Sequence, residues 1–172
     1  MKLMIASDIH GSGYYCRQLL EAFNKEQADK LLLLGDILYH GPRNALPAAY
    51  DPKVVAAMLN AMKDKILCVR GNCEAEVDQM MLEFPVMADY ALLSLDGFNL
   101  YATHGHLTIP ALGEKDFIVS GHTHVPTWKG NRFNPGSVSI PKENSHHGYI
   151  LYAEGTFTWK DLEGNVIYTR TI

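Results

Sequence analysis

No apolar run in the 172 residues approaches the ~20 that cross a bilayer, and the densest, Leu31-Leu32-Leu33-Leu34, suits a buried strand. The start, Met1 to Asp8, reaches an acid too soon for the apolar stretch of a signal peptide. Positive charge is short as well. Lys and Arg number 15 against 19 Asp and Glu, a formal charge of −4, which argues against non-specific binding to nucleic acid or an anionic membrane. Cysteine is sparse: Cys16, Cys68 and Cys73 form no CxxC pair and leave one over, so reduced thiols in the cytoplasm are expected. Repeats, low-complexity tracts and Gly/Ser/Pro-rich linkers are missing, so one domain over residues 1–172 is the expected organisation. With 47% hydrophobic and 20% charged residues, composition excludes a disordered or fibrous chain.

What the chain does have is eight histidines, and they are not scattered. The first half alternates strand and helix. Residues 2–7 and 31–35 read as strands covered on both faces. Between them Ser12 is an N-cap candidate, with Cys16, Leu19, Leu20 and Phe23 at helical spacing. Asp51-Pro52 opens a second helix, whose stripe is Val54, Val55, Met58, Leu59 and Met62. After a strand at 65–70, a third helix is expected to bury Val77, Met80, Met81 and Phe84, and Pro85 stops it. Segments 87–95, 98–104, 116–120, 131–134, 148–153, 156–161 and 165–170 then read as strands, an order suited to a mixed α/β domain with two sheets.

Ligand-competent residues fall where strands run out. Asp8 and His10 follow the first, Asp36 the second, Asn72 and Cys73 the third, His104 and His106 a later one, and His122 and His124 another. In open α/β sheets these C-terminal ends are where ligands bind. If the strand continued through them, Asp8 with His10, and His122 with His124, would project to the same side. Asp8, His10, Asp36, Asn72, His104, His122 and His124 are oxygen and nitrogen donors. A single tetrahedral zinc takes four ligands, so the set exceeds one site unless a residue bridges two ions. Four imidazoles point to Mn, Fe, Co, Ni or Zn rather than calcium or magnesium.

Each piece has a plainer reading. Gly35-Asp36 and Gly71-Asn72 are turn dipeptides, and a lone Asp-x-His matches by accident. Their joint occurrence at five strand ends is what favours metal. His146-His147 reads as a solvated loop, and Asn134-Pro135-Gly136-Ser137 as a turn first. Met58, Met62, Met80 and Met81 read as core. Arg43 reads equally as a surface residue or, because guanidinium matches phosphate oxygens, as a substrate contact.

The series Asp8-x-His10, Gly35-Asp36, Gly71-Asn72-Cys73, His104 and Gly121-His122-Thr123-His124 resembles the calcineurin-like metallophosphoesterase superfamily. Residues 39–47, 70–73, 76–80 and 133–142 are similar to small bacterial phosphodiesterases within it, which extends the likeness over nearly the whole chain. The resemblance implies a four-layer α/β/β/α sandwich of two mixed β-sheets flanked by helices. It implies one metal on Asp8, His10, Asp36 and His124 and another on Asp36, Asn72, His104 and His122, manganese being the usual ion. A hydroxide bridging the pair would attack a small-molecule phosphodiester, with Asn72, Cys73 and His106 beside the reacting phosphate. Cys73 stands where many members of the superfamily carry a histidine proposed to protonate the leaving group; a thiol suits good leaving groups better. Self-association into a homo-oligomer is also implied by relatives. A non-catalytic interaction scaffold and a phosphomonoesterase are the alternatives that the same fold would serve.

Overall fold

The computed structural model describes residues 1–109 and 111–172. The chain runs β1 (Leu3–Ala6), α1 (Gly13–Glu26), β2 (Lys30–Leu33), α2 (Pro52–Asn60), β3 (Ile66–Cys68) and α3 (Glu76–Met81). Strands follow: β4 (Tyr90–Leu95), β5 (Phe98–Thr103), β6 (Phe117–Val119), β7 (Thr127–Lys129), β8 (Arg132–Asn134), β9 (Gly148–Ala153), β10 (Thr156–Asp161) and β11 (Val166–Thr171). One sheet has the order β11-β10-β9-β1-β2-β3, and the other β4-β5-β6-β8-β7.

Period-2 alternation explains the layers. Met4, Ala6, Leu31 and Leu33 point to the helices, where they meet Leu19, Phe23, Val55 and Leu59. Their neighbours Leu3, Ile5, Leu32 and Leu34 point the other way, onto Leu100, Ala102, Val119 and Phe133 of the second sheet. Both faces are dry, which is why these strands are written as unbroken apolar runs. Replacing Leu32, fully buried between the sheets, by Ala should cost about 2–5 kcal/mol.

Helix starts are chemical. Ser12 Oγ accepts from the Tyr15 amide at 3.2 Å, and Asp51 Oδ1 from Lys53 and Val54, each at 3.1 Å, so both expected caps are in place. The architecture is the expected α/β sandwich of two mixed sheets with flanking helices. Among the described residues, the three α-helices all precede β4, and the connection from β5 to β6 is tied to the five-stranded sheet by Tyr90 Oη, which donates to the Thr108 carbonyl, and by Asn99 Nδ2, which donates to Asp116 at 3.0 Å.

Several expectations fail, and the first is Val54, placed in the buried stripe of α2 but 38% exposed. α3 is six residues long and its apolar side chains face outward, with Val77 58%, Met80 83% and Met81 42% exposed. Met80 and Met81 are therefore not core; only Leu82, Phe84 and Val86, beyond the helix end, pack inward. The short strand β7 was not anticipated, because three residues on a sheet edge carry almost no alternation signal.

Candidate metal centre

β1 and β2 run parallel, as do β2 and β3, so their C-terminal ends open at one edge of the first sheet. β5, β6 and β8 are likewise parallel in the second. Where the two edges meet, the strands have already ended. Asp8, His10, Asp36, His122 and His124 all sit at positive φ, between 49° and 68°. Shared projection by strand periodicity is thus not how Asp8 and His10 come together; sharp left-handed turns aim them, a conformation that Asp and His tolerate better than most residues. Glycine makes the approach of the loops feasible. A Cβ at Gly121 would lie 1.9 Å from Ser7 Oγ, and one at Gly71 would lie 2.2 Å from Asp36 Oδ1.

All seven predicted donors converge. His10 Nε2 is 3.6 Å from Asp8 Oδ1 and 3.7 Å from Asp36 Oδ2. His124 Nε2 is 3.3 Å from Asp8 Oδ1, and His104 Nε2 is 3.5 Å from Asp36 Oδ2. Asn72 Oδ1 and His122 Nδ1 lie 3.1 and 3.3 Å from His104 Nε2. Asp8, His10, Asp36, His104 and His124 are buried, while His122 is partly open and Asn72 exposed.

Backbone carbonyls fix the ring tautomers. The Nδ1–H groups of His10, His104 and His124 donate to the carbonyls of Tyr39, Leu34 and Ile140 at 2.8, 2.7 and 2.6 Å. Each Nε2 then faces inward, with a lone pair wherever the ring is neutral. His10 Nε2 and His124 Nε2 face each other at 3.3 Å, and Asp8 Oδ1 is buried with no hydrogen-bond partner. Acceptors aimed at acceptors in a dry space need a proton or a metal cation between them. The donor set fits divalent cations on that ground.

Electrostatics agree. Burial opposes ionisation of Asp8, but His10, His124 and His104 hold its carboxyl well below the ordinary range. Burial likewise opposes the charge on Asp36, and His104 outweighs it downward. Despite burial, Asp36 and Asp8 raise His104 to about 9. His10 is raised as well, again against burial, by Asp8. Burial and then His104 depress His122 and His106. Burial and Asp36 push the Cys73 thiol far up, so it is neither a thiolate nor a ready acid.

The remaining predicted residues surround this cluster. Arg43 and Cys73 line a cleft of about 430 Å³ together with Asp36, Asn72, His122 and Lys142. The Cys73 amide donates to Asp36 Oδ1 at 2.9 Å. His106 is half-buried behind His104, their ring centroids 5.4 Å apart. His146 and His147 stand apart from the cluster; His147 stacks on Tyr15 at 4.0 Å and donates to the Val138 carbonyl.

Several positioning residues escaped the sequence reading. Glu74, buried, accepts from the amides of Asp36, Ile37 and Gly71 at 2.8, 2.7 and 2.5 Å. Burial and Asp36 raise its carboxyl even though those amides favour the charge. Ser137 and Ser139 hydroxyls donate to the Asp8 carbonyl, and Asn134 Nδ2 donates to the Gly121 carbonyl at 2.8 Å. Trp159 Nε1 donates in turn to the Asn134 carbonyl at 2.8 Å. The segment 134–137 is thus a buttress as well as a turn. These groups act through backbone atoms, which leave no side-chain spacing to detect.

Residues 1–156 match the model of the calcineurin-like phosphoesterase superfamily domain, and the chain belongs to that family. It is 49% identical over 157 residues to phosphodiesterase YfcE of Escherichia coli K12, covering 87% of this chain and 85% of the relative. A solved structure of YfcE, described as a phosphoesterase from E. coli, superposes with a TM-score of 0.95 at 44% identity over 100% of both chains. Vps29 from Entamoeba histolytica, solved with zinc, shares the fold alone, at 17% identity and TM-score 0.60 over 100% of this chain and 98% of that one.

Proposed function

We propose that the chain is a metal-dependent phosphodiesterase that hydrolyses a small-molecule diester with the help of two divalent cations, manganese first among them. The observation that carries this reading is the inward-facing set of imidazole nitrogens and carboxylate oxygens, above all His10 Nε2 against His124 Nε2 at 3.3 Å and the unpartnered Asp8 Oδ1. Asp8, His10, Asp36 and His124 would hold one cation and Asp36, Asn72, His104 and His122 the other. Asp36 suits the shared role because its Oδ2 lies between His10 and His104, 3.7 and 3.5 Å away. Bound as a pair, such ions supply an activated water for attack at phosphorus and neutralise charge on the phosphate.

The chain's own residues do the rest. Carbonyl-anchored imidazoles keep their geometry without reorganising, which favours the transition state. Asn72, exposed at the cleft, offers its side-chain amide to phosphate oxygens, and Arg43 offers a guanidinium from the opposite loop. Among the described residues that line the cleft, the Cys73 thiol is held neutral, so direct hydrolysis fits better than a covalent enzyme intermediate. The likeness to YfcE supports the diesterase class over a monoesterase or a bare scaffold. The three free cysteines suit a reducing, cytoplasmic setting.

Metal analysis of the purified protein, beside aryl phosphodiester and phosphomonoester hydrolysis with and without added manganese, tests the proposal. About two equivalents of metal and manganese-dependent diester cleavage are expected. Absence of hydrolysis with metal fully loaded would return the scaffold reading to first place.

A further inference from the structure

The outward apolar residues of α3 are not spread at random. Val77 and Met81, with Leu38, Tyr39, Tyr50 and Pro52, line a cavity of about 400 Å³, a size that suits small-molecule sites. Cys73 lines this cavity and the polar cleft alike. Its Sγ also lies within 4.8 Å of ligand atoms on His10 and Asp36. Cys73 is therefore the wall that the two cavities share, one side chain away from the metal centre.

We propose that this cavity is a subsite for an apolar substituent, aromatic or aliphatic, of the phosphoester whose phosphate occupies the metal centre. The inference rests on the phosphoester reading above and adds the class of substituent. A diester gripped by its phosphate carries two organic groups, and the surroundings offer them unlike walls. Toward Arg43, Asn44, Thr123 and Lys142 there are donors and positive charge. Beyond Cys73 there are ring faces and hydrocarbon. Of the cavity's two charged residues, Asp78 is already engaged by the Ala75 amide at 2.7 Å and Lys53 is exposed. Tyr39 fastens this wall to the catalytic side, since its carbonyl accepts from His10 Nδ1. Val77 and Met81 remain 58% and 42% exposed, so an apolar group seated there removes hydrocarbon from water on both partners.

Titration calorimetry of the zinc-loaded protein with methylphosphonate and with phenylphosphonate tests the subsite without needing turnover. Phenylphosphonate should bind about tenfold more tightly, as expected for burying one ring. Val77→Asp and Met81→Lys should each bring that ratio close to one, with circular dichroism unchanged. Met80→Lys, on the same helix but outside the cavity and 83% exposed, should keep it. In methionine-methyl NMR, phenylphosphonate should shift Met81 and leave Met80 in place. Equal affinity for the two phosphonates, or a ratio unmoved in both cavity variants, overturns the subsite and leaves the phosphoester reading standing. Binding of neither phosphonate overturns the phosphoester reading itself.

Discussion

Glu74 Oε2 accepts from the backbone nitrogens of both Asp36, at 2.8 Å, and Gly71, at 2.5 Å, so one carboxylate oxygen clamps the loop bearing Asp36 to the loop bearing Asn72. Glu74→Gln would aim an amide N–H₂ at amide N–H groups. Metal affinity should fall about 10–100-fold, the usual effect of losing an outer support. Glu74→Asp, which keeps the charge, should lose less. Manganese titration followed by paramagnetic resonance reads both. Unchanged affinity in Glu74→Gln would show that the clamp is dispensable.

Asp36→Asn removes the charge placed between His10 and His104. Metal content and diester cleavage should drop together, by a factor of about 100 or more. Near-normal activity with two ions retained would refute the shared role.

Proton release gives an independent reading. The folded chain raises His104 from 6.5 to about 9, so in the absence of metal its protonation stabilises the fold fully below pH 6.5 and ceases to do so as pH climbs through about 9. A cation facing Nε2 must displace that proton. Metal binding should therefore release protons near neutral pH and strengthen as pH rises toward 9. Calorimetry in two buffers of different ionisation enthalpy measures the release. A buffer-independent heat would contradict it.

Asp51→Ala removes the oxygen that accepts from Lys53 and Val54. The loss should be about 1 kcal/mol. For a chain of this size that lowers Tm by about 2–4 °C, measurable by calorimetry on the metal-free protein.

Leu3 to Ala6 and Leu31 to Leu34 were legible as strands because both faces of the first sheet are dry, so every position had to be apolar. Asp51-Pro52 and Ser12 were legible because capping is local chemistry. The α3 stripe misled because periodicity counts apolar side chains without saying what covers them, and Met80 is left 83% exposed by the described residues. The convergence of Asp8, His10, Asp36, Asn72, His104, His122 and His124 followed from strand-end placement, but the mechanism did not. Positive φ at Asp8, His10, Asp36, His122 and His124 replaced the alternation assumed for two of the pairs. Glu74 left no trace because its partners are amides, common to every residue.

Trp159 carries one more consequence. The ligand-competent motifs stop at His124, and the family match stops at residue 156. Yet the indole of β10 grips the Asn134 carbonyl, and Asn134 grips Gly121, the residue next to His122. The support of the donor cluster thus extends, mechanically, into the hairpin of β10 and β11. Sequence drift in that hairpin would be felt at the imidazoles, so variants of the tail deserve scoring as variants of the active site.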